Sequence, residues 1–280
     1  MSANRTQQPL IDAVTLQTSL RAGEALCILD CRTRLEERSA GRRLWEAEHI
    51  PGSQHVDLDR DLASVAGEGG RHPLPEKAAF TATLQRLGIS PDTPVVVYDD
   101  RSGQLAAARA WWMLHCWAGH PDVRVLDGGV TAWQHEGGEM VHGDFGVAAS
   151  GWQPEYDDRV LVAADSVLAS SDAKIDARAL ERFRGEVEPI DPVAGHIPGA
   201  VCRPSATNLA ADGRFKPAST LDTELPRYDR VISYCGSGVS ACHNILAYAI
   251  AGRGLPRLYV GSWSDWIRDP KRPIATGDSG

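Results

Sequence analysis

The amino-acid sequence repeats itself once, and this repeat limits the architectures open to it. Leu29-Asp30-Cys31-Arg32 returns as Ile175-Asp176-Ala177-Arg178. Glu48-His49-Ile50-Pro51-Gly52-Ser53 returns as Gly195-His196-Ile197-Pro198-Gly199-Ala200. Val95-Val96-Val97-Tyr98-Asp99 returns as Val231-Ile232-Ser233-Tyr234-Cys235. Val125-Leu126-Asp127-Gly128-Gly129, running on to Trp133, returns as Leu258-Tyr259-Val260-Gly261-Ser262, running on to Trp266. The blocks recur in one order, at a spacing far longer than the roughly 20–50 residues of a solenoid unit. Two copies of one domain follow, and 280 residues are enough to give each copy its own core.

Within each copy, short β-branched runs alternate with helical patterns. Val95–Tyr98 and Val231–Tyr234 read as buried strands, and the stretches 105–117 and 239–251 that follow are apolar at helical spacing. A further strand, Val123–Leu126 or 257–260, comes next. Strand, loop, helix, strand is the unit of a parallel sheet, so the expected class is α/β: two tandem domains, each a parallel sheet flanked by helices. Breakers without periodicity fill 141–158 and read as the connection. The expected division is a first domain at 1–145, a linker at 146–160 and a second domain at 161–280.

The net charge of −8 disfavours a nucleic-acid partner, which normally meets a basic surface. No apolar run is long enough to span a bilayer, and the first residues do not read as a secretory signal. Six cysteines at 27, 31, 116, 202, 235 and 242 show neither CxxC pairs nor zinc spacing. Reduced thiols in a cytoplasmic compartment are expected, with no metal and no organic cofactor.

Cys235 differs from the other five by its place. It follows a strand directly, where ligands of α/β sheets bind. Gly236-Ser237-Gly238-Val239-Ser240 then leads into a helix. Two glycines let such a loop turn its N–H groups inward, and the helix N-terminus adds partial positive charge. Both favour a thiolate and a lowered thiol pKa. The matching place in the first copy is Asp99, a carboxylate in place of the thiol. A cysteine phosphatase would need an arginine six residues after Cys235, where Ala241 stands. A non-enzymatic carrier or binding module remains the other alternative.

The segment Tyr234-Cys235-Gly236-Ser237-Gly238-Val239-Ser240-Ala241 resembles the active loop of the rhodanese superfamily, in the form typical of mercaptopyruvate sulfurtransferases. The repeated Asp-x-Arg and Gly-His-Ile-Pro-Gly blocks and Gly261-Ser262-Trp263-Ser264-Asp265-Trp266 resemble it too. The resemblance covers nearly the whole chain. It implies two rhodanese domains of which only the second is catalytic, and sulfur carried as a Cys235 persulfide. It implies a relay of Ser237, His72 and Asp59, with Asp57 and Asp61 as rivals for the carboxylate. Arg182 resembles the arginine that grips the substrate carboxylate. Arg178, in the Asp-x-Arg block, is a second substrate-binding candidate whose pairing reads as structural. Gly236, Gly238, Val239 and Ser240 would line the anion site. The family's mercaptopyruvate enzymes carry another arginine nine residues after the first, and here that place is Asp191.

The implied donor is a small anion, 3-mercaptopyruvate or thiosulfate. The neutral loop suits the single carboxylate of the former better than a dianion. The implied acceptor is cyanide or a thiol, either a small reduced thiol or a thioredoxin-like protein, with no nucleic-acid and no membrane partner. His49 and His196 are expected to bond backbone at their turns. Trp111, Trp112, Trp117, Trp133 and Trp266 are expected to pack, and Trp263 to pack or line the pocket.

Overall fold

A computed structural model describes residues 8–143 and 146–278. The reading of the first seven residues, and the outermost limits of the expected domains and linker at 1, 145 and 280, lie outside the described residues.

Among the described residues, nine strands form two all-parallel sheets. The first contains β1 (Leu10–Ile11), β2 (Cys27–Asp30), β3 (Ser53–His55), β4 (Val95–Tyr98) and β5 (Val123–Leu126), in the order β1-β5-β4-β2-β3. The second contains β6 (Ala173–Asp176), β7 (Ala200–Cys202), β8 (Val231–Tyr234) and β9 (Arg257–Leu258), in the order β7-β6-β8-β9. β4 and β8 are buried at every residue, as apolar runs covered on both faces must be. The repeat holds in register: Asp30 pairs with Tyr98 as Asp176 pairs with Tyr234. The second sheet lacks a full counterpart of β1, but Leu161 makes one parallel bridge to Leu258 in its place.

The repeated motifs are structural devices that serve both halves alike. Asp30 accepts Arg32 in a buried, forked ion pair, and Asp176 accepts Arg178 in the same way. Removing one partner of such a pair leaves a buried charge and costs about 3–5 kcal/mol. Tyr98 and Tyr234 hydroxyls accept the N–H of Ile50 and Ile197, which pins the two His-Ile-Pro-Gly turns to the strands. His49 and His196 place Nδ1 2.7 Å from the carbonyls of Trp45 and Phe183. The five tryptophans expected to pack are all buried.

The two halves share one core. Helix Ala106–Trp112 of the first half packs on helix Ala241–Ile250 of the second, and residues of both halves join in a single apolar cluster. The helix expected at 105–117 is α-helical only to Trp112 and continues as a π-turn at Met113–Trp117. The connecting segment lies along the first half, where Ser150 N–H donates to Gln85 and Asp157 N–H to Trp117.

Candidate active site

β8 delivers Cys235 to the carboxyl edge of the second sheet, and the helix Ala241–Ile250 leaves from just behind it. Between them the chain turns sharply. Gly238 has φ +75°, and a Cβ there would lie 2.3 Å from the Val260 carbonyl, so only glycine fits. The cysteine is braced by the neighbouring Gly-Ser turn: its N–H donates to Ser262 Oγ at 3.1 Å, and its carbonyl accepts Trp263 N–H at 3.0 Å. The N–H groups of Gly236, Ser237, Gly238 and Val239 meet no oxygen acceptor among the described residues. They remain available to an anion beside Cys235.

The first-half loop shows what those groups are for. There the Asp99 carboxylate folds back and accepts the N–H of Arg101, Gly103 and Ala107 at 2.9, 2.8 and 3.2 Å. The first loop is thus filled by its own carboxylate, and burial pushes that carboxyl above its usual range.

The first half contributes to the second loop through residues 70–73. His72 Nδ1 stands 2.7 Å from Ser237 Oγ, and its Nε2 stands 3.5 Å from Asp59. The relay residues Ser237, His72 and Asp59 therefore meet across the boundary between the halves. Asp59 is half exposed and is the carboxylate that faces His72. Asp57 caps the short helix Leu58–Asp61, and Asp61 is spent on Arg60 and Arg86. Burial, then the nearby cations of Arg109 and Arg71, push the His72 pKa down to about 4. His72 is neutral at neutral pH, with a lone pair to offer.

The loop 70–73 is held from two sides. Gly70, at φ +94°, lies flat on the second half: a Cβ there would stand 2.6 Å from Ser264 Oγ and 2.7 Å from the Gly261 carbonyl. Arg71 N–H donates to the same Ser264 Oγ. From below, Arg109 is fully buried and donates to the carbonyls of Leu62, His72 and Pro73 and, across the boundary, of Gly238. One guanidinium thus ties the histidine loop to the cysteine loop. All its acceptors are neutral carbonyls, so its charge is left to the site.

Of the substrate-binding candidates, Arg182 reaches the loop and Arg178 does not. Arg178 is only 1% exposed and is consumed by Asp176, Glu188 and the Gly195 carbonyl. Its guanidinium also lies 4.9 Å from the Trp263 ring. This corrects the assignment of Arg178 to substrate: its forked pair braces β6, as Arg32 braces β2. Gly236 and Gly238 form the turn, Val239 is buried beneath it, and Ser240 leads into the helix without a side-chain cap. Trp263 is fully buried, with its indole N–H on the Val193 carbonyl.

Arg71 and Arg109 were not singled out from sequence. Arg71 stood in view beside His72, but nothing in a lone surface arginine shows which domain it will lean on. Arg109 sits in an apolar helix, and a charge there is itself a signal that it must be buried with partners. An open cleft of about 570 Å³, bordered by Asp59 and Arg71 among others, lies on the first-half side.

The remaining thiols are unsuited to nucleophilic work. Burial pushes Cys27, Cys116 and Cys202 up to about 12, and Cys31 and Cys242 rise as well. Only the thiolate attacks, so these five are inert near neutral pH.

Two pseudo-repeated parallel α/β halves that meet around a single cysteine loop define a cysteine-dependent transferase. The sequence matches the family described as "Rhodanese-like domain" over residues 12–136 and again over 163–269. The chain belongs to the rhodanese family and is a sulfurtransferase. A Pseudomonas aeruginosa protein named "Probable 3-mercaptopyruvate sulfurtransferase" is 48% identical over 266 residues, 90% of this chain and 93% of that one. A Mycobacterium tuberculosis protein named "Putative thiosulfate sulfurtransferase SseB" is 43% identical over 282 residues, 96% and 98% of the two chains. The solved 3-mercaptopyruvate sulfurtransferase from Leishmania major superposes with a TM-score of 0.84 at 28% identity, covering 96% of this chain and 77% of that one.

Proposed function

We propose that this sulfurtransferase takes its sulfur from 3-mercaptopyruvate and passes it, through a Cys235 persulfide, to a thiol or to cyanide. The observation that carries this reading is the 2.7 Å contact of His72 with Ser237, two residues from Cys235, inside a neutral loop faced by Arg182. The Cys235 thiolate attacks the donor sulfur. The S–S bond forms as the donor C–S bond breaks, and that bond's electron pair leaves on carbon as the enolate of pyruvate. Neutral His72, through Ser237, draws a proton from the thiol at the outset. Once protonated it is a strong acid and returns that proton to the enolate. The loop amides receive the charge that develops beside them. In the second half-reaction an acceptor thiolate attacks the outer sulfur, takes it as a persulfide and frees the Cys235 thiolate. No metal or organic cofactor enters this scheme.

On this reading the first half is not itself a transferase, because Asp99 occupies the cysteine's place and fills its own loop. It supplies His72 and Asp59 instead. The acceptor is a small reduced thiol or a thioredoxin-like protein, with no nucleic-acid or membrane partner. Among the described residues no helix is long and apolar enough to cross a membrane. All six cysteines are free thiols, which supports a cytoplasmic, reducing setting.

Thiosulfate is the second reading, favoured by the name of the Mycobacterium tuberculosis relative. Steady-state kinetics with both donors decides between them. A higher kcat/KM for 3-mercaptopyruvate is expected, and a higher value for thiosulfate would reverse the assignment.

A further inference from the structure

The cleft on the first-half side is far larger than a small 2-oxo acid needs. Its volume of about 570 Å³ lies in the range of pockets that enclose a drug-sized ligand. It opens onto the cysteine loop. Asp59, on its wall, stands 3.5 Å from His72. Arg71, also on its wall, has Nη2 2.8 Å from where a Cβ on Gly236 would stand, next to Cys235. A molecule seated in the cleft is therefore one side chain away from the cysteine loop.

The wall carries an excess of positive charge in a chain whose net charge is −8. Arg38, Arg60 and Arg71 border it, against Asp57 and Asp59. Both carboxylates are engaged: Asp57 accepts the N–H of Asp59 and of Arg60 at 2.9 Å, and Asp59 faces His72. The cations are engaged only in part. Arg60 places Nε and Nη2 on Asp61, and Arg71 places Nη1 on Asp191 of the second half. Arg60 Nη1, Arg71 Nη2 and the whole Arg38 guanidinium bond no acceptor among the described residues. Beside them Val65 is 91% exposed, an apolar side chain left uncovered at the rim.

This chemistry selects among thiols. An uncharged thiol gains nothing from unpaired guanidiniums, whereas a carboxylate gains charge-assisted hydrogen bonds. A protein thiol would need about 800 Å² of complementary surface, and a concave cleft walled by a few side chains suits a smaller ligand. We propose that this cleft is the acceptor site, and that its acceptor is a small peptide thiol bearing carboxylates, held at Arg38 and Arg60. The inference rests on the persulfide reading above and adds to it the chemical class of the acceptor. The acceptor thiolate attacks the outer sulfur of the protonated persulfide. A new S–S bond forms, the bond to Cys235 breaks, and its electron pair stays on Cys235 Sγ. The acceptor leaves as a persulfide that keeps the proton, and no oxidant or reductant is consumed.

The test uses the full-length protein, with glutathione as a carboxylated peptide thiol and 2-mercaptoethanol as an uncharged one. Cys235 is loaded by 3-mercaptopyruvate or by thiosulfate, whichever transfers sulfur, and loading is read as added mass, so the donor's identity does not enter. Arg38→Gln and Arg60→Gln each raise KM for glutathione about threefold to fivefold, and the double variant about tenfold or more, the range of exposed ion pairs. KM for 2-mercaptoethanol and for the donor stays within about twofold. Added salt raises the wild-type KM for glutathione and leaves that for 2-mercaptoethanol unchanged. Arg38 holds no partner, so Arg38→Gln removes nothing the fold uses and still decides the matter if Arg60→Gln fails to fold. An unchanged KM for glutathione in the folded variants would overturn the proposal. So would an equal rise for both thiols or for the donor, which would mean that the arginines act on the cysteine loop. Loss of transfer to a thioredoxin-type protein with glutathione unaffected would make the cleft a protein surface and overturn it too. A wild type in which neither donor loads Cys235 would overturn the persulfide reading itself, and this inference with it.

Discussion

Cys235 and His72 carry separable roles, and single substitutions at each have distinct expected effects. Cys235→Ser abolishes transfer with the fold retained, since serine is isosteric and cannot form the sulfur adduct. Mass spectrometry after donor treatment should show one added sulfur on the peptide containing Cys235. Finding it chiefly on Cys27, Cys31, Cys116, Cys202 or Cys242 would sink the assignment. His72→Ala lowers kcat/KM roughly 10²-fold, the lower range for a positioned acid–base group. Because burial and two cations hold His72 near 4, the acid limb of kcat/KM assigned to it lies near pH 4, not 6.5. A limb at 6.5 that disappears in His72→Ala would contradict this. At this scale the sequence was informative where chemistry and spacing coincide. A cysteine at a strand end before Gly-x-Gly is readable, because backbone geometry alone makes it an anion site. Arg71 was not, since its role depends on which side chains a loop meets after two halves dock. For Arg178 the Asp-x-Arg spacing is the better guide than its candidacy for substrate: its side chain is spent on Asp176.

At the scale of elements, the site is built by one short loop lying flat on another half of the chain. Gly70 makes that possible twice over: its φ of +94° is open mainly to glycine, and its missing Cβ leaves room for Ser264 and the Gly261 carbonyl. Gly70→Ala would lift residues 70–73 by some tenths of an ångström and strain the turn, at a cost of about 1–3 kcal/mol. His72 and Arg71 would both lose register with the cysteine loop. The expected outcome is a loss of kcat/KM on the order of 10²-fold with the persulfide-forming Cys235 loop unharmed, measured by slow but complete loading in single turnover. Activity within twofold of wild type would show that the loop is not held by this contact. The strand core was legible, because fully buried four-residue runs of Val, Ile and Tyr have few other places to go. Less legible were the ends. β9 stops at Leu258 although the apolar run continues to Val260, because the chain must turn to brace Cys235. The π-turn at Met113–Trp117 leaves no mark in an apolar pattern that suits an α-helix equally well.

At the scale of the whole molecule, two histidines without counterparts in the repeat sit where the halves meet. His243, on the helix Ala241–Ile250, is fully buried and stacks on Phe215. Its Nε2 is 3.2 Å from the Ser102 carbonyl of the first half and its Nδ1 3.2 Å from Asn208 Nδ2. A ring with Nε2–H donating and Nδ1 accepting satisfies both neighbours, and a second proton on Nδ1 would face a donor. Burial accordingly pushes its pKa down to about 4, as it does for His72. In the unfolded chain both return to about 6.5. Between these values the unfolded state binds protons that the folded state refuses, so stability rises with pH across the window and is lost as pH falls from about 6.5 toward 4. From pH 6 to 5 the two groups together remove about 2 kcal/mol as an upper bound, from up to about 1.36 kcal/mol per proton per pH unit. Asp99, Asp127 and Asp191, whose carboxyls are raised, act in the opposite direction, and mainly at the acid end of the window. Urea unfolding at pH 7, 6 and 5 therefore gives a falling midpoint. His243→Gln, which keeps both hydrogen bonds without a titrating ring, removes about half of what these two histidines contribute, and adding His72→Gln removes the other half, leaving the share of His120, whose pKa burial also lowers. A double variant whose pH dependence matches that of the wild type would show that the boundary between the halves is not where the protons act. The expected result is that mild acid opens this boundary first, because the residues that titrate there are also those that join the two copies into one site.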